Sequence, residues 1–250
     1  MAHRVFTVDE LTEYLHLGPG DVERLMRETD IPHALRGGRL VFQRAEIDAW
    51  ASKRILGLPG KRLDWYHARS VRATRDLFPH LALIPALLQP RNIHLGLRAK
   101  TRPSLLREMV EVASQTGRVF DSRELLISIE EREALGSTAV PGGLALLHPR
   151  HQADFRFEGS FIVLGRTLQP IPFGAPDGRP TQLFFMVCCD NDRIHLHTLA
   201  RLCLVALKTN AIDALLSADT PQQAFDALVD AEISVLPSPG AATSGRTRRA

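Results

Sequence analysis

The stretch from Glu131 to Arg150, EREALGSTAVPGGLALLHPR, holds the residues whose types and order best suit chemistry. Gly142-Gly143 permits a tight turn, because glycine adopts positive φ without a steric cost. Leu144 to Leu147 reads as a short apolar strand that ends on His148. A histidine at a strand end, followed by Pro149, is fixed by the sheet yet held at its rim, where a partner molecule has access. Imidazole has an unperturbed pKa of about 6.5, so a neutral ring nitrogen is available as a nucleophile near pH 7. Taken alone, His148 is one of 10 histidines, and a structural imidazole stays open.

The other reactive side chains point away from metal or redox chemistry. Cys188, Cys189 and Cys203 are odd in number, and two are adjacent in an apolar stretch. That argues against a disulfide framework or a zinc site and fits small buried residues in a reducing cytoplasm. No metal and no cofactor is expected. No apolar run approaches the roughly 20 residues that span a bilayer, so no membrane insertion is expected. The opening MAHRVFTVDEL lacks the basic-then-apolar order of a signal peptide, which makes the expected location cytoplasmic.

Three segments must position these residues. Residues 1–55 read as helix, turn, helix, hairpin, helix. Thr7 and Glu10 form a capping box, and Val8, Leu11, Tyr14 and Leu15 follow at helical spacing. Gly18-Pro19-Gly20 breaks that helix, and Asp21 opens a second with Val22, Leu25 and Met26 inward. Arg36-Gly37-Gly38-Arg39 is a hairpin signal, Leu40 to Phe42 is the return strand, and a third helix carries Ile47, Ala49 and Trp50. Residues 56–82 read as a basic linker, helical from about Leu63 to Phe78. Residues 83–235 form an α/β unit, a mixed sheet flanked by helices. Its helices are Leu105 to Ala113, Ser122 to Glu133, Ile194 to Leu207, and one opening at Pro221. Its strands are Leu144 to Leu147, Ser160 to Gly165, and Leu183 to Cys188, the last apolar enough to be buried on both faces. The tail 236–250 is small, polar and basic, the composition of a disordered segment. The net charge of +3 gathers in the linker and in Arg246, Arg248 and Arg249 of the tail.

The third segment resembles the IIA domains of the bacterial phosphotransferase system, in the fructose, mannitol and nitrogen-regulatory class. Four collinear stretches carry the resemblance besides EREALGSTAVPGGLALLHPR: LLQPRNIHLGLRAKTRPSLLREMVEVASQTG at 87–117, GRTLQPIPFGAPDGRP at 165–180, LFFMVCC at 183–189 and IHLHTLARL at 194–202. It implies a IIA type 2-like fold with His148 as the phosphorylated histidine and His195 as the second histidine of the site. It also implies that Arg132 contacts the phosphoryl group and that Ser137 and Thr138 donate hydrogen bonds to it. The types suit the task, since a transferring phosphoryl group needs an in-line nucleophile and donors around its equatorial oxygens, and arginine offers a planar fork. The bland alternatives are a helix C-terminal charge for Arg132 and a surface residue at a helix start for His195. His197 and His151 read as structural or solvent-facing. In one respect the chain departs from the family: Leu147 stands where proline usually precedes the phosphorylated histidine.

Residues 5–52 resemble the excisionase-like, MerR-related branch of winged helix-turn-helix domains. The matching stretches are FTVDELTEYLHL, GPGDVERLMRETDIP and RGGRLVFQRAEIDAW. The resemblance implies DNA contacts from the second helix and the hairpin wing, with Arg24, Arg27, Arg36 and Arg39 as the candidates. Asp21, Glu23 and Glu28 on the same helix oppose phosphate, which keeps a protein-binding module open. Three functions follow: a regulator in which phosphorylation by an HPr-like phosphocarrier protein alters DNA binding, a phosphocarrier for a sugar permease in trans, and a non-phosphorylated interaction fold. A homodimer on palindromic DNA fits the first of these.

Overall fold

The computed structural model describes residues 5–77, 82–150, 157–190 and 192–236. The front of the chain is built from local signals. After a short strand β1 (Val5–Phe6), helix α1 (Val8–Tyr14) is closed by the Thr7/Glu10 capping box. Helix α2 (Pro19–Glu28) begins two residues before Asp21, with Gly18 as its cap and proline at its first position, where the missing N–H is not needed. Asp21 therefore sits in the first turn, where its carboxylate accepts the Gly18 N–H at 3.1 Å. Strands β2 (Ala34–Arg36) and β3 (Arg39–Gln43) pair across Gly37-Gly38, both at positive φ, with Arg36 opposite Arg39. Strand β1 pairs with the other edge of β3, and helix α3 (Arg44–Leu56) follows.

Helix α4 (Gly60–Ala73) occupies the expected linker. It starts three residues earlier and ends five earlier than its sequence suggests, and Phe78 lies outside the described residues. Leu63, Tyr66, His67, Ser70 and Val71 are buried along one face, so this helix packs as part of the globule.

The larger unit contains, in chain order, α5 (Ile84–Leu87), β4 (Ile93–Leu97), α6 (Arg102–Ser114), α7 (Ser122–Ala134), β5 (Ala139–Val140), β6 (Leu144–Leu147), β7 (Phe161–Ile171), β8 (Thr181–Cys188), α8 (Asp192–Lys208), α9 (Ala211–Ser217) and α10 (Pro221–Val235). The sheet order is β4-β7-β8-β6-β5. β4 runs parallel to β7 and β6 parallel to β8, while β7–β8 and β5–β6 are antiparallel. Successive side chains of a strand alternate between faces, and the core divides accordingly. Ala145, Leu147, Val163, Phe184 and Met186 face α6 and α7. Leu144, Leu146, Ile162, Leu183 and Phe185 face the other way, into a cluster with α8 and α10 that continues without a break into Leu63, Tyr66, Ile55, Phe42 and Leu11. The three cysteines are buried and are not joined in a disulfide. Among the described residues no helix is long and apolar enough to cross a membrane. The tail lies outside the described residues beyond Leu236.

Candidate functional site

Strand β6 ends at Leu147, which is paired with Met186 and fully buried. Where the resemblance leads one to expect proline, a core leucine thus holds the strand, and the next residue leaves the sheet. Its parallel neighbour β8 ends on the same side and leads into α8, whose first turns carry His195. Helix α7 delivers Arg132 in its last turn. Three elements remote in sequence therefore bring His148, His195 and Arg132 together.

The contacts are specific. The Arg132 Nε–H donates to His148 Nε2 at 2.9 Å, and its Nη1 donates to the Gly136 carbonyl at 3.0 Å. Arginine has no acceptor, so Nε2 of His148 must carry the lone pair. The proton then lies on Nδ1, which donates to the Leu146 carbonyl at 2.8 Å. The rings of His148 and His195 are 5.1 Å apart and tilted by 56°. His195 Nδ1 is buried and has no hydrogen-bond partner among the described residues. The three side chains are only 2–3% exposed.

Burial sets the protonation states. It pushes His148 well below the ordinary imidazole range, with the Arg132 charge and the His195 ring adding to the effect. It pushes His195 down to about 3, again with help from Arg132. Burial also lowers Arg132, which the nearby Glu133 charge partly offsets, but a guanidinium stays protonated in proteins. The site at neutral pH is thus two neutral imidazoles beside one buried cation. Among the described residues no carboxylate lies within ion-pair distance of Arg132. Glu133 spends one oxygen on the Thr138 backbone N–H at 3.1 Å and on the Thr138 hydroxyl.

Ser137 and Thr138 are not brought into this cluster. The Ser137 hydroxyl donates to the Phe173 carbonyl at 2.5 Å and accepts the Ala139 N–H at 3.1 Å, and the Thr138 hydroxyl is held by Glu133. Their role here is to shape the loop that places Arg132 against His148. Glu133 and the carbonyls of Gly136 and Leu146 are the site's unforeseen members. Glu133 belongs to the ERE run, but nothing in the sequence marks it as a loop anchor.

In the front module, Arg36 and Arg39 are exposed at the hairpin tip and Arg27 is exposed on α2. Arg24 is tied to Asp21 at 2.8 Å, and Asp21 also meets Arg69 of α4 at 3.1 Å. Of the three acidic residues that oppose phosphate on this helix, Asp21 is thus paired with two arginines, while Glu23 and Glu28 are exposed. His197 is buried in a second cluster, against His67, and His151 lies outside the described residues.

Residues 86–231 match the family model described as phosphoenolpyruvate-dependent sugar phosphotransferase system, EIIA 2, and residues 5–55 match a helix-turn-helix domain. The chain is 27% identical over 149 residues to the PTS system fructose-specific EIIABC component of Bacillus subtilis, a match covering 59% of this chain but 22% of that protein. It is 31% identical over 108 residues to the nitrogen regulatory protein of Escherichia coli, covering 42% of this chain and 64% of that one. The crystal structure of nitrogen regulatory protein IIA-Ntr from Neisseria meningitidis superposes with a TM-score of 0.53 at 24% identity, covering 58% of this chain and 98% of that one. That likeness concerns the fold.

Proposed function

Since the chain belongs to the EIIA type 2 family of the phosphoenolpyruvate-dependent sugar phosphotransferase system, we propose that it accepts a phosphoryl group on His148 Nε2 and couples that event to DNA binding by its front module. The observation that carries the reading is the Arg132 guanidinium on the lone pair of His148, with the unpartnered His195 nitrogen alongside. In the proposed step the Nε2 lone pair attacks phosphorus of a phosphohistidine on an HPr-like phosphocarrier protein. The N–P bond to the donor breaks, and the proton stays on Nδ1, which keeps donating it to the Leu146 carbonyl. Arg132 moves from the ring nitrogen to the phosphoryl oxygens, which a planar fork can bind two at a time, and His195 supplies a further polar contact.

The coupling has a physical route. Helix α8 carries His195 and, two residues on, His197, which shares a hydrogen bond of 2.7 Å with Ser70 of α4. Helix α4 in turn packs against the front module. A shift of α8 on phosphorylation, which adds a charge of about −1.5 to −2 at ordinary phosphate pKa values, reaches the excisionase-like module through these contacts. Arg27, Arg36 and Arg39 are its exposed DNA-contact candidates, with Arg24 shared with Asp21.

Two measurements test this. Labelling with phosphoenolpyruvate and the general phosphotransferase proteins should mark the wild type and not His148→Ala. Titration with promoter DNA at two salt concentrations should show salt-dependent binding that Arg36→Gln/Arg39→Gln weakens. The rival reading, a IIA fold that binds proteins without being phosphorylated, is favoured by the near-complete burial of His148. An unlabelled wild type would decide for it.

A further inference from the structure

A cavity of about 320 Å3 opens between α2, α3 and α4, and it shares no residue with the His148 site. Its floor is apolar, formed by Leu25, Ile55 and Leu58, and its walls include Trp50 and Trp65, the only tryptophans of the chain. Arg54 stacks over the Trp50 ring at 5.3 Å. Trp65 carries Arg69 over its face at 4.9 Å and still remains 45% exposed. Cavities of this size lie at the small end of those that take organic ligands.

The charges around it are unbalanced. Arg54, Lys61 and Arg62 all line the cavity, and none has an ion-pair partner within 4.0 Å among the described residues. Of the two acidic lining residues, Asp21 is taken by the Gly18 N–H, Arg24 and Arg69, and Glu28 is exposed on α2. Burial lowers the Arg54 guanidinium, and the like charge of Arg62 lowers it further, with Asp30 and Glu28 opposing that from nearby. Two adjacent cations that repel one another over an aromatic surface are stabilised by an anion placed between them.

We propose that this cavity binds a small aromatic organic anion, its ring on the apolar floor between the tryptophan walls and its acidic group among Arg54, Lys61 and Arg62. A neutral ligand would leave the three cations as they are. A purely inorganic anion would leave the apolar floor in water. The site touches Arg24 and Leu25 of the second helix of the helix-turn-helix module on one wall and Lys61 to Tyr66 of α4 on the other. A ligand there ties those two helices together. The binding itself does not rest on phosphorylation of His148.

The probe pair is 8-anilino-1-naphthalenesulfonate and N-phenyl-1-naphthylamine, which share their rings and differ by the sulfonate. Titrated into the full-length protein, the sulfonate should bind saturably at one site per chain and change the fluorescence of the tryptophans. The neutral amine should bind at least about tenfold more weakly, the contribution of one charge-assisted contact. Arg54→Gln/Arg62→Gln should weaken the sulfonate by about tenfold at an unchanged melting temperature. Equal affinity for the two probes overturns the proposal. So does a folded double variant with wild-type affinity for the sulfonate. Should the double variant fail to fold, the ratio of the two probes on the wild type decides alone.

Discussion

Among the described residues are two buried histidine–arginine clusters of nearly the same design, and helix α8 contributes to both. In one, Arg132 Nε donates to His148 Nε2 at 2.9 Å, with the His195 ring 5.1 Å away. In the other, Arg201 Nε donates to His67 Nε2 at 2.6 Å, with the His197 ring stacked 5.6 Å from that of His67. The difference is a carboxylate. Arg201 is paired with Glu232, both wholly buried, and Glu232 also accepts the backbone N–H groups of Leu83 at 2.7 Å and Ile84 at 2.9 Å. That cluster is electrically complete and joins α4, α5, α8 and α10. Among the described residues the Arg132 cluster has no resident anion in ion-pair contact. One motif serves as a fastener where its anion is built in, and becomes a candidate phosphate site where the anion must arrive from outside.

The sharpest way to break this comparison is to remove the anion from the complete cluster. Glu232→Gln strands the Arg201 charge in the core and should cost about 3–5 kcal/mol of folding stability, read by chemical denaturation. Arg132→Gln should cost less, about 1–2 kcal/mol, because among the described residues no carboxylate is in ion-pair contact with Arg132 and the buried Glu133 keeps its Thr138 hydrogen bonds. Equal losses would erase the distinction. The same Arg132→Gln should slow phosphoryl transfer to His148 by about 100-fold, measured by single-turnover labelling. Glu232→Gln, where folded, should leave that rate within a few-fold.

Acid titration sharpens the comparison further. Burial and the Arg201 charge push His67 down to about 3, and burial pushes His16 down to about 4 even though it shares a hydrogen bond with the Arg193 carbonyl. These groups are neutral in the folded chain, while an unfolded chain takes up their protons below its own pKa of about 6.5. Their contribution to stability is complete above that pH and falls as the pH drops toward the folded value, by at most about 1.4 kcal/mol per unit for each group. His67→Gln should therefore flatten the stability profile between about pH 6 and 4, checked by denaturation at several pH values. The smallest effect expected is for Ser70→Ala, which removes the His197 bond and should cost about 1 kcal/mol. If that variant also weakens any effect of phosphorylation on DNA binding, α8 is the coupling element.

Much of the fold was legible because it rests on local rules. The capping box at Thr7, the glycine turn between Arg36 and Arg39, and the apolar runs of β6 and β8 all stand where their residues placed them. Gly18-Pro19 reads as a breaker and puts the opening of α2 at Asp21, whereas the helix starts at Pro19, because proline at a first helical position is compatible with a start. Helix α4 reads as a basic linker because Lys61, Arg62, Arg69 and Arg72 are spread along it; its buried stripe faces α8, and no local pattern names a partner. Likewise Ser137 and Thr138 have the right types for binding phosphate, yet their hydroxyls are used inside the loop.

By itself the sequence determined the periodicities, the caps and the position of His148 at a strand end, since these depend on residues within one or two turns of each other. Only the tertiary structure decided that Arg132 takes the ring nitrogen of His148, that His195 comes alongside while His197 turns to Ser70, and that Glu232 completes the Arg201 cluster. Ser70 and His197 are 127 residues apart, and which charges share a low-dielectric interior is settled by how the helices pack on the sheet. The same packing set the burial that keeps these imidazoles neutral.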